Sequence, residues 1–255
     1  MKAEDDKPAG IGTNAGQRVP LRPRDAATLV IVDTARNEPR VLMGRRRADQ
    51  VFLPGKYVFP GGRVDRGDGA VEAAHELKDG EIAKLLMDMK GRASVTRARA
   101  LALAAVRETF EEAGLLIGAP ASGPVAVAGT SWQRFCATGL KPHLAPLTYF
   151  ARAITPPGRP RRYDTRFFCV EASAIAHRTA PLDEELSTLD WFSLDEARAL
   201  DLPSITRAVI EDLADRIVAG PLGAADVPVP FYYFRNGTFQ RILLGHSATA
   251  DDLDR

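Results

Sequence analysis

The chain has 255 residues, 45% hydrophobic and 26% charged, the makeup of one globular domain with additions. Lys and Arg total 34 against 33 Asp and Glu, and a net charge of +1 argues against a strongly basic nucleic-acid binder. Two cysteines without a CxxC, and four His, speak against a disulfide scaffold and a Cys/His zinc module; no 18-residue apolar run is present to span a membrane.

Residues 1–24 are charged and rich in Gly and Pro, with no apolar stretch of a secretory signal, so a flexible leader and a cytoplasmic location are expected. Ala26–Val32 is a short β-branched run ending at Asp33 and predicts a buried strand. Asn37-Glu38-Pro39 predicts a turn into a partner strand from Arg40 to Met43, followed by Arg45, Arg46 and Arg47. Tyr57–Phe59 predicts a third strand, stopped by Pro60-Gly61-Gly62. From Glu72 to Lys90, apolar residues recur in threes and fours and predict a helix. A stronger helix is predicted over Ala98–Ala113, with Gly114 as its stop, and a short one over Trp132–Thr138. Strands are predicted at Leu147–Ile154, Arg166–Glu171 and Trp191–Ser193. Ser193 with Glu196 forms a capping-box pattern, Ser204 opens a further helix, and Asn236-Gly237 predicts a hairpin turn between Phe231 and Leu244. This order predicts an α/β (α+β) chain, a mixed sheet between helices with a C-terminal β-hairpin. The expected organisation is a domain over 25–218 with an insertion at 69–99, an extension packed on it over 219–247, and a tail over 248–255.

The chemistry concentrates in Arg107-Glu108-Thr109-Phe110-Glu111-Glu112-Ala113-Gly114. At about 100° per residue, Glu108, Glu111 and Glu112 share one helix face, opposite Leu103, Val106, Phe110 and Ala113. Like charges at i,i+3 and i,i+4 destabilise a helix by a few tenths of a kcal/mol per pair. No Lys lies on the strip to offset that, whereas a hard divalent cation such as Mg²⁺ or Mn²⁺ would. A solvated acidic face is the plainer account of the strip taken alone. Upstream, a strand running into Pro60-Gly61-Gly62 makes a turn whose backbone can approach a ligand closely.

Together the two segments resemble the signature of the Nudix hydrolases, G-x5-E-x7-R-E-U-x-E-E-x-G-U with U apolar. Gly62 matches the first Gly, and Arg107, Glu108, Glu111, Glu112, Gly114 and Leu115 match the second half. Thr109 is polar where an apolar residue is usual, and Asp68 stands at the first Glu. Arg107 follows Asp68 by 39 positions where the pattern has about eight, so a long insert divides the motif. That insert, with Phe52–Gly62, Ile154-Thr155-Pro156, Arg161–Phe168 and Glu184-Glu185-Leu186, resembles the long-insert subgroup of peroxisomal coenzyme A diphosphatase type.

The resemblance implies metal-dependent attack of water on a diphosphate within a small nucleoside diphosphate derivative. Glu108, Glu111 and Glu112 are implied as metal ligands, with the Gly61 or Gly62 carbonyl as a further one. Arg107 is implied to be structural, paired with a carboxylate of its helix, and Asp68 to hold a helix or loop. The general base stays open between Glu111 and Glu185. Arg45, Arg46, Arg47, Arg161 and Arg162 are candidates to grip phosphates, with Arg45, Arg46 and Arg162 foremost. Trp132 and Phe135 fit the core better than a stacking role. Gly55 and Phe59 fit a coenzyme A motif, but Arg46 replaces its Ser and Val51 its second Arg, so coenzyme A, acyl-CoA, NADH, ADP-sugars and dinucleotides all stay open. No nucleic-acid or membrane partner is expected, and a homodimer is common in such a family. The insert is expected to be a lid, a dimer surface or a packed helical element. A ligand-sensing module without turnover is the alternative, disfavoured because such modules usually lose the glutamates kept here.

Overall fold

The structure, a computed structural model, describes residues 21–35, 37–50, 52–120, 129–224 and 227–245. Most of the expected leader, the tail at 248–255 and Val51 lie outside the described residues.

Strand β1 (Arg24–Asp33) is the centre of the molecule. It is buried on both faces: Ala27, Leu29 and Ile31 join one core, Val30 and Val32 the other. That two-sided burial is why the run is apolar throughout instead of alternating. Along one edge β1 pairs in parallel with β8 (Tyr163–Glu171). Its other edge is shared. Val32 and Asp33 pair with β2 (Arg40–Arg46), whereas Ala26–Thr28 pair with β4 (Gly61–Arg63). Between them the chain crosses over: β3 (Tyr57–Val58) still pairs with β2, and Pro60 then hands the chain to β1, its carbonyl accepting from Leu29 N at 3.0 Å. Proline at this corner donates no hydrogen bond and stops the ladder on β2.

The first core face is covered by α2 (Val95–Ala113), which lies under α1 (Asp79–Met87) and the short strand β5 (Leu115–Pro120). Ser94 caps α2 by accepting from Arg97 N, and Gly114 closes it with φ 65°. A run of alanines with Leu101, Leu103, Val106 and Phe110 lets the helix sit close on the sheet. Beyond it come α3 (Thr130–Cys136), β6 (Leu140–Pro142) and β7 (Thr148–Ile154). The second face is covered by α4 (Leu194–Ala199) and α5 (Ser204–Ala219), reached after β9 (Ile175–Arg178) and β10 (Leu186–Ser193). The Ser193–Glu196 capping box is present in both directions. The last two strands, β11 (Val229–Arg235) and β12 (Thr238–Leu244), form the hairpin at Asn236-Gly237, both in the left-handed region, and β11 extends the sheet beside β7. The main sheet runs β10-β2-β1-β8-β7-β11-β12, a mixed sheet between helices as expected, and a small second sheet holds β6-β5-β9.

The insertion departs from expectation. Its helix spans Asp79–Met87 and not Glu72–Lys90. The preceding stretch runs extended, with Ala74 N donating to Pro142 O and Leu144 N to His75 O. Pairing with a distant strand overrides the local apolar spacing. The helix is then pinned to the sheet by charge. The buried Glu81 carboxylate accepts from Tyr149 N at 2.8 Å, where a bulge in β7 breaks the ladder to β8, and Lys84 pairs with Glu81. Asp88 accepts from the buried Arg152 guanidinium at 2.8 Å. Among the described residues, no helix is long and apolar enough to cross a membrane.

Candidate active site

The crossover from β2 to β1 brings Gly61 and Gly62 against the C-terminal half of α2. Neither position has room for a side chain. A Cβ on Gly61 would stand 2.6 Å from the Ala27 carbonyl oxygen, and one on Gly62 would stand 2.5 Å from the Glu108 carboxyl carbon. The Gly61 N–H donates to Glu112 Oε2 at 2.9 Å. Two carboxylates one helical turn apart are thereby seated on the two glycines.

Both are desolvated. Burial pushes the Glu108 carboxyl up to about 7, against the pull of the neighbouring Arg107, with Glu111 adding to the rise. Glu112 is raised well above the usual range, first by burial and then by the charge of Glu108, with the Gly61 N–H opposing. Such crowding of desolvated acid groups is an electrostatic pattern that functional and structural networks share, and it makes these two residues the candidates.

Arg107 organises the far side of the strip. Its Nε and Nη2 grip Asp68 at 2.9 and 3.2 Å, Nη2 also donates to Arg63 O at 2.8 Å, and Nη1 meets Glu108 at 2.9 Å and Glu111 at 2.8 Å. Burial opposes its charge, but the Asp68 pair and the two glutamates outweigh that and raise its pKa. Asp68 is itself fully buried, accepting from Asp65 N at 2.8 Å and from Trp132 Nε1 at 2.9 Å. The strip carries no Lys, but Arg107 pairs with two carboxylates of its own helix, Glu108 and Glu111, and reaches beyond the helix to Asp68 as well.

No family model matches the chain, and no curated protein does. Solved structures do. The crystal structure of a NUDIX hydrolase from Alicyclobacillus acidocaldarius is 27% identical, covers 80% of this chain and 99% of its own, and superposes with a TM-score of 0.56. The chain belongs to the Nudix superfamily. A MutT NUDIX hydrolase from Burkholderia pseudomallei (17% identical, 76% of this chain and 99% of its own, TM-score 0.42) and the NUDIX domain of Shewanella oneidensis NrtR complexed with ADP ribose (11%, 77% and 90%, 0.43) are more distant. The likeness supports the superfamily's general activity, hydrolysis of a pyrophosphate linkage.

A cleft of about 1490 Å³ opens in front of the Nudix turn and helix, lined by Gly61, Gly62, Glu108, Glu112 and Glu185 among others. Glu111 is not in its wall; its carboxylate is held by Arg107. Glu185 reaches the cleft from the loop before β10, half-exposed and paired with Arg46 at 2.9 Å, while the adjacent Glu184 pairs with Arg47 outside it. Arg46 lines the cleft. Arg45 does not: it donates to Gly55 O and borders a separate groove. Arg162 lines the cleft, but its guanidinium is engaged by the carbonyls of Thr155 and Leu21 at 2.9 and 2.7 Å. Gly114 terminates α2. Trp132 and Phe135 are core residues, with Trp132 also holding Asp68.

Sequence reasoning passed over the floor of the cleft, formed by Arg24, Ala26 and Thr28 of β1 and Tyr163, Thr165 and Phe167 of β8. The strand period of two offered a signal: every second residue of β1 from Arg24 to Thr28 is smaller or more polar than its apolar continuation.

Among the described residues no three His, Cys, Asp or Glu form a ready-made metal cage. The residues nevertheless fit a hard cation. Glu108 and Glu112 are adjacent, desolvated oxygen donors whose mutual repulsion a divalent charge would remove, and Mg²⁺ is commonly held by one or two carboxylates with substrate phosphates completing its shell.

Proposed function

We propose that the chain hydrolyses the diphosphate of a small nucleoside diphosphate derivative with the help of Mg²⁺ or Mn²⁺. The observation that carries this reading is the seating of Glu108 and Glu112 on Gly62 and Gly61 at the wall of a large cleft. Glu108 and Glu112 would hold the cation, with the Gly61 carbonyl as a further candidate. When bound, it would neutralise diphosphate oxygens and acidify a water.

The remaining work falls to the chain. Arg107 and Asp68 fix the rotamer of Glu108 from behind, so that its carboxylate needs no reordering when substrate arrives. Arg46, which lines the cleft and pairs with Glu185, would turn its guanidinium to a phosphate oxygen when substrate enters. Glu185 is the better candidate for the base. It faces the cleft and is close enough to raise Glu112 electrostatically, while Glu111 is tied to Arg107. In the step itself a water oxygen bonds to one phosphorus, the bridging P–O bond breaks, and the water proton passes to Glu185. Positioning and charge, not covalent catalysis, supply the rate in such transfers.

The test is turnover of coenzyme A, an acyl-CoA, NADH, ADP-ribose and a diadenosine polyphosphate, with Mg²⁺, with Mn²⁺ and with chelator, the products being identified by mass spectrometry. Metal-dependent cleavage of a diphosphate is expected. Absence of turnover with every compound, while one is bound, would move the chain to a ligand-sensing role.

A further inference from the structure

The cleft is much larger than a diphosphate needs and is unevenly charged. Its volume exceeds the roughly 300–1,000 Å³ of ordinary small-molecule pockets. Ten Lys and Arg side chains line it against four carboxylates, although the chain as a whole carries a net charge of only +1. Most of these cations are already engaged. Arg46 is paired with Glu185, Lys56 with Asp201, Arg63 with Asp65 and Arg198 with Asp195 and Glu211. Arg162 is held by carbonyls.

Three are not. Arg22, Arg24 and Arg161 are exposed, line the cleft and have no side-chain partner among the described residues. They are brought to one rim by the backbone: Arg24 N donates to Arg162 O at 3.0 Å, and Arg162 Nη1 donates to Leu21 O, so the segment before β1 is tied to the loop before β8. The rim stands at a set distance from the chemistry. Thr28 pairs with Gly61, and Arg24 lies four residues earlier on the same face of an extended strand, roughly 13 Å away. The floor between is uncharged, made of Ala26, Thr28, Thr165 and Phe167, and Tyr163 at the rim meets Phe52 edge-on at 5.8 Å. An uncharged stretch of that length suits a nucleoside or similar group. An unpaired basic rim beyond it suits an anion.

We propose that the substrate carries a second phosphate, set apart from the diphosphate that is cleaved, and that Arg22, Arg24 and Arg161 receive it. This rests on the diphosphatase reading above and narrows its substrate class. The second phosphate could be a monoester on a nucleoside sugar or the far end of a longer polyphosphate chain, and both present the same oxygens to an arginine fork.

Matched pairs separate these sources: NADPH with NADH and coenzyme A with its dephospho form for the monoester, diadenosine tetraphosphate with diadenosine diphosphate for the chain. The wild-type protein is expected to prefer the member with the second phosphate by about tenfold or more in kcat/KM in at least one pair, as one or two charge-assisted hydrogen bonds would give. Arg24→Ala and Arg161→Ala are expected to lower that ratio towards one, and Arg24→Lys to restore part of it. Binding of the same pairs by calorimetry reads the ratio independently of turnover. Cleavage of both members at equal rates, or a ratio the variants do not move, overturns the inference while leaving the hydrolase reading in place. Preferential binding without any turnover does the reverse.

Discussion

Arg107 and Asp68 lie 39 residues apart in the chain and meet as a two-pronged buried ion pair, Nε to Oδ1 at 2.9 Å and Nη2 to Oδ2 at 3.2 Å. The whole insertion lies between them. The pair closes the base of that excursion and returns the second half of the Nudix motif to the turn that precedes it. Asp68 is buried at that junction, with the guanidinium as its ionic partner.

Arg107→Ala would leave Asp68 buried without its ionic partner and would also release Glu108 and Glu111. A loss of about 3–5 kcal/mol is expected in chemical denaturation. Asp68→Asn keeps the volume and the Trp132 contact but loses the charge, and should cost less. Equal stability of Arg107→Ala and the wild-type protein would contradict this role.

The close approach at the turn makes a sharper prediction about activity. Gly62→Ala places a methyl group into the Glu108 carboxylate, which must move. The expected outcome is a fold retained by circular dichroism with turnover lowered by about 100-fold, the scale of losing one charge-stabilising group. Wild-type rates in this variant would show that Glu108 need not sit where it does.

Metal and pH should be linked in stability. Glu108 rises from 4.5 to about 7 in the folded protein, so folding favours its protonated form. The resulting stability is complete below the unfolded value and is lost as pH rises through about 7; Glu112 acts in the same direction. In chelator, the melting temperature should therefore fall between pH 5.5 and 8 through these two groups. Mg²⁺ should raise it more at pH 8 than at pH 5.5, because binding requires the ionised carboxylates. An equal Mg²⁺ effect at both pH values would count against these two ligands.

The insertion is a fixed part of the fold. Glu81 accepts from Tyr149 N beside the β7 bulge and so ties the helix to that strand. Glu81→Ala should destabilise the protein by about 1–3 kcal/mol and speed amide exchange at Tyr149. An unchanged Tyr149 amide would mean that the helix is not anchored there.

Local chemistry was legible in the residues, and long-range pairing was not. The Gly114 stop, the Ser193–Glu196 box and the Asn236-Gly237 turn depend on neighbours in sequence and were found. So were the three glutamates. What α2 alone could not reveal is which of them faces the cleft, because Arg107 turns Glu111 aside under the influence of Asp68, far away in sequence. Residues 72–78 keep helical spacing yet run extended, since their partners at 142–144 are supplied by another part of the chain. Strands β5, β6 and β9 are short and gain their definition from one another. The fork in the edge of β1, which creates the site, leaves only Pro60-Gly61-Gly62 as its trace.

The most direct test compares the wild-type protein with Glu112→Gln in ¹⁸O-labelled water at matched Mg²⁺, with folding checked alongside. The account predicts metal-dependent cleavage of a diphosphate, one labelled oxygen on a product phosphate, and a loss of about 100-fold or more in the variant. Label absent from both phosphates, or a folded Glu112→Gln that turns over at the wild-type rate, would contradict it.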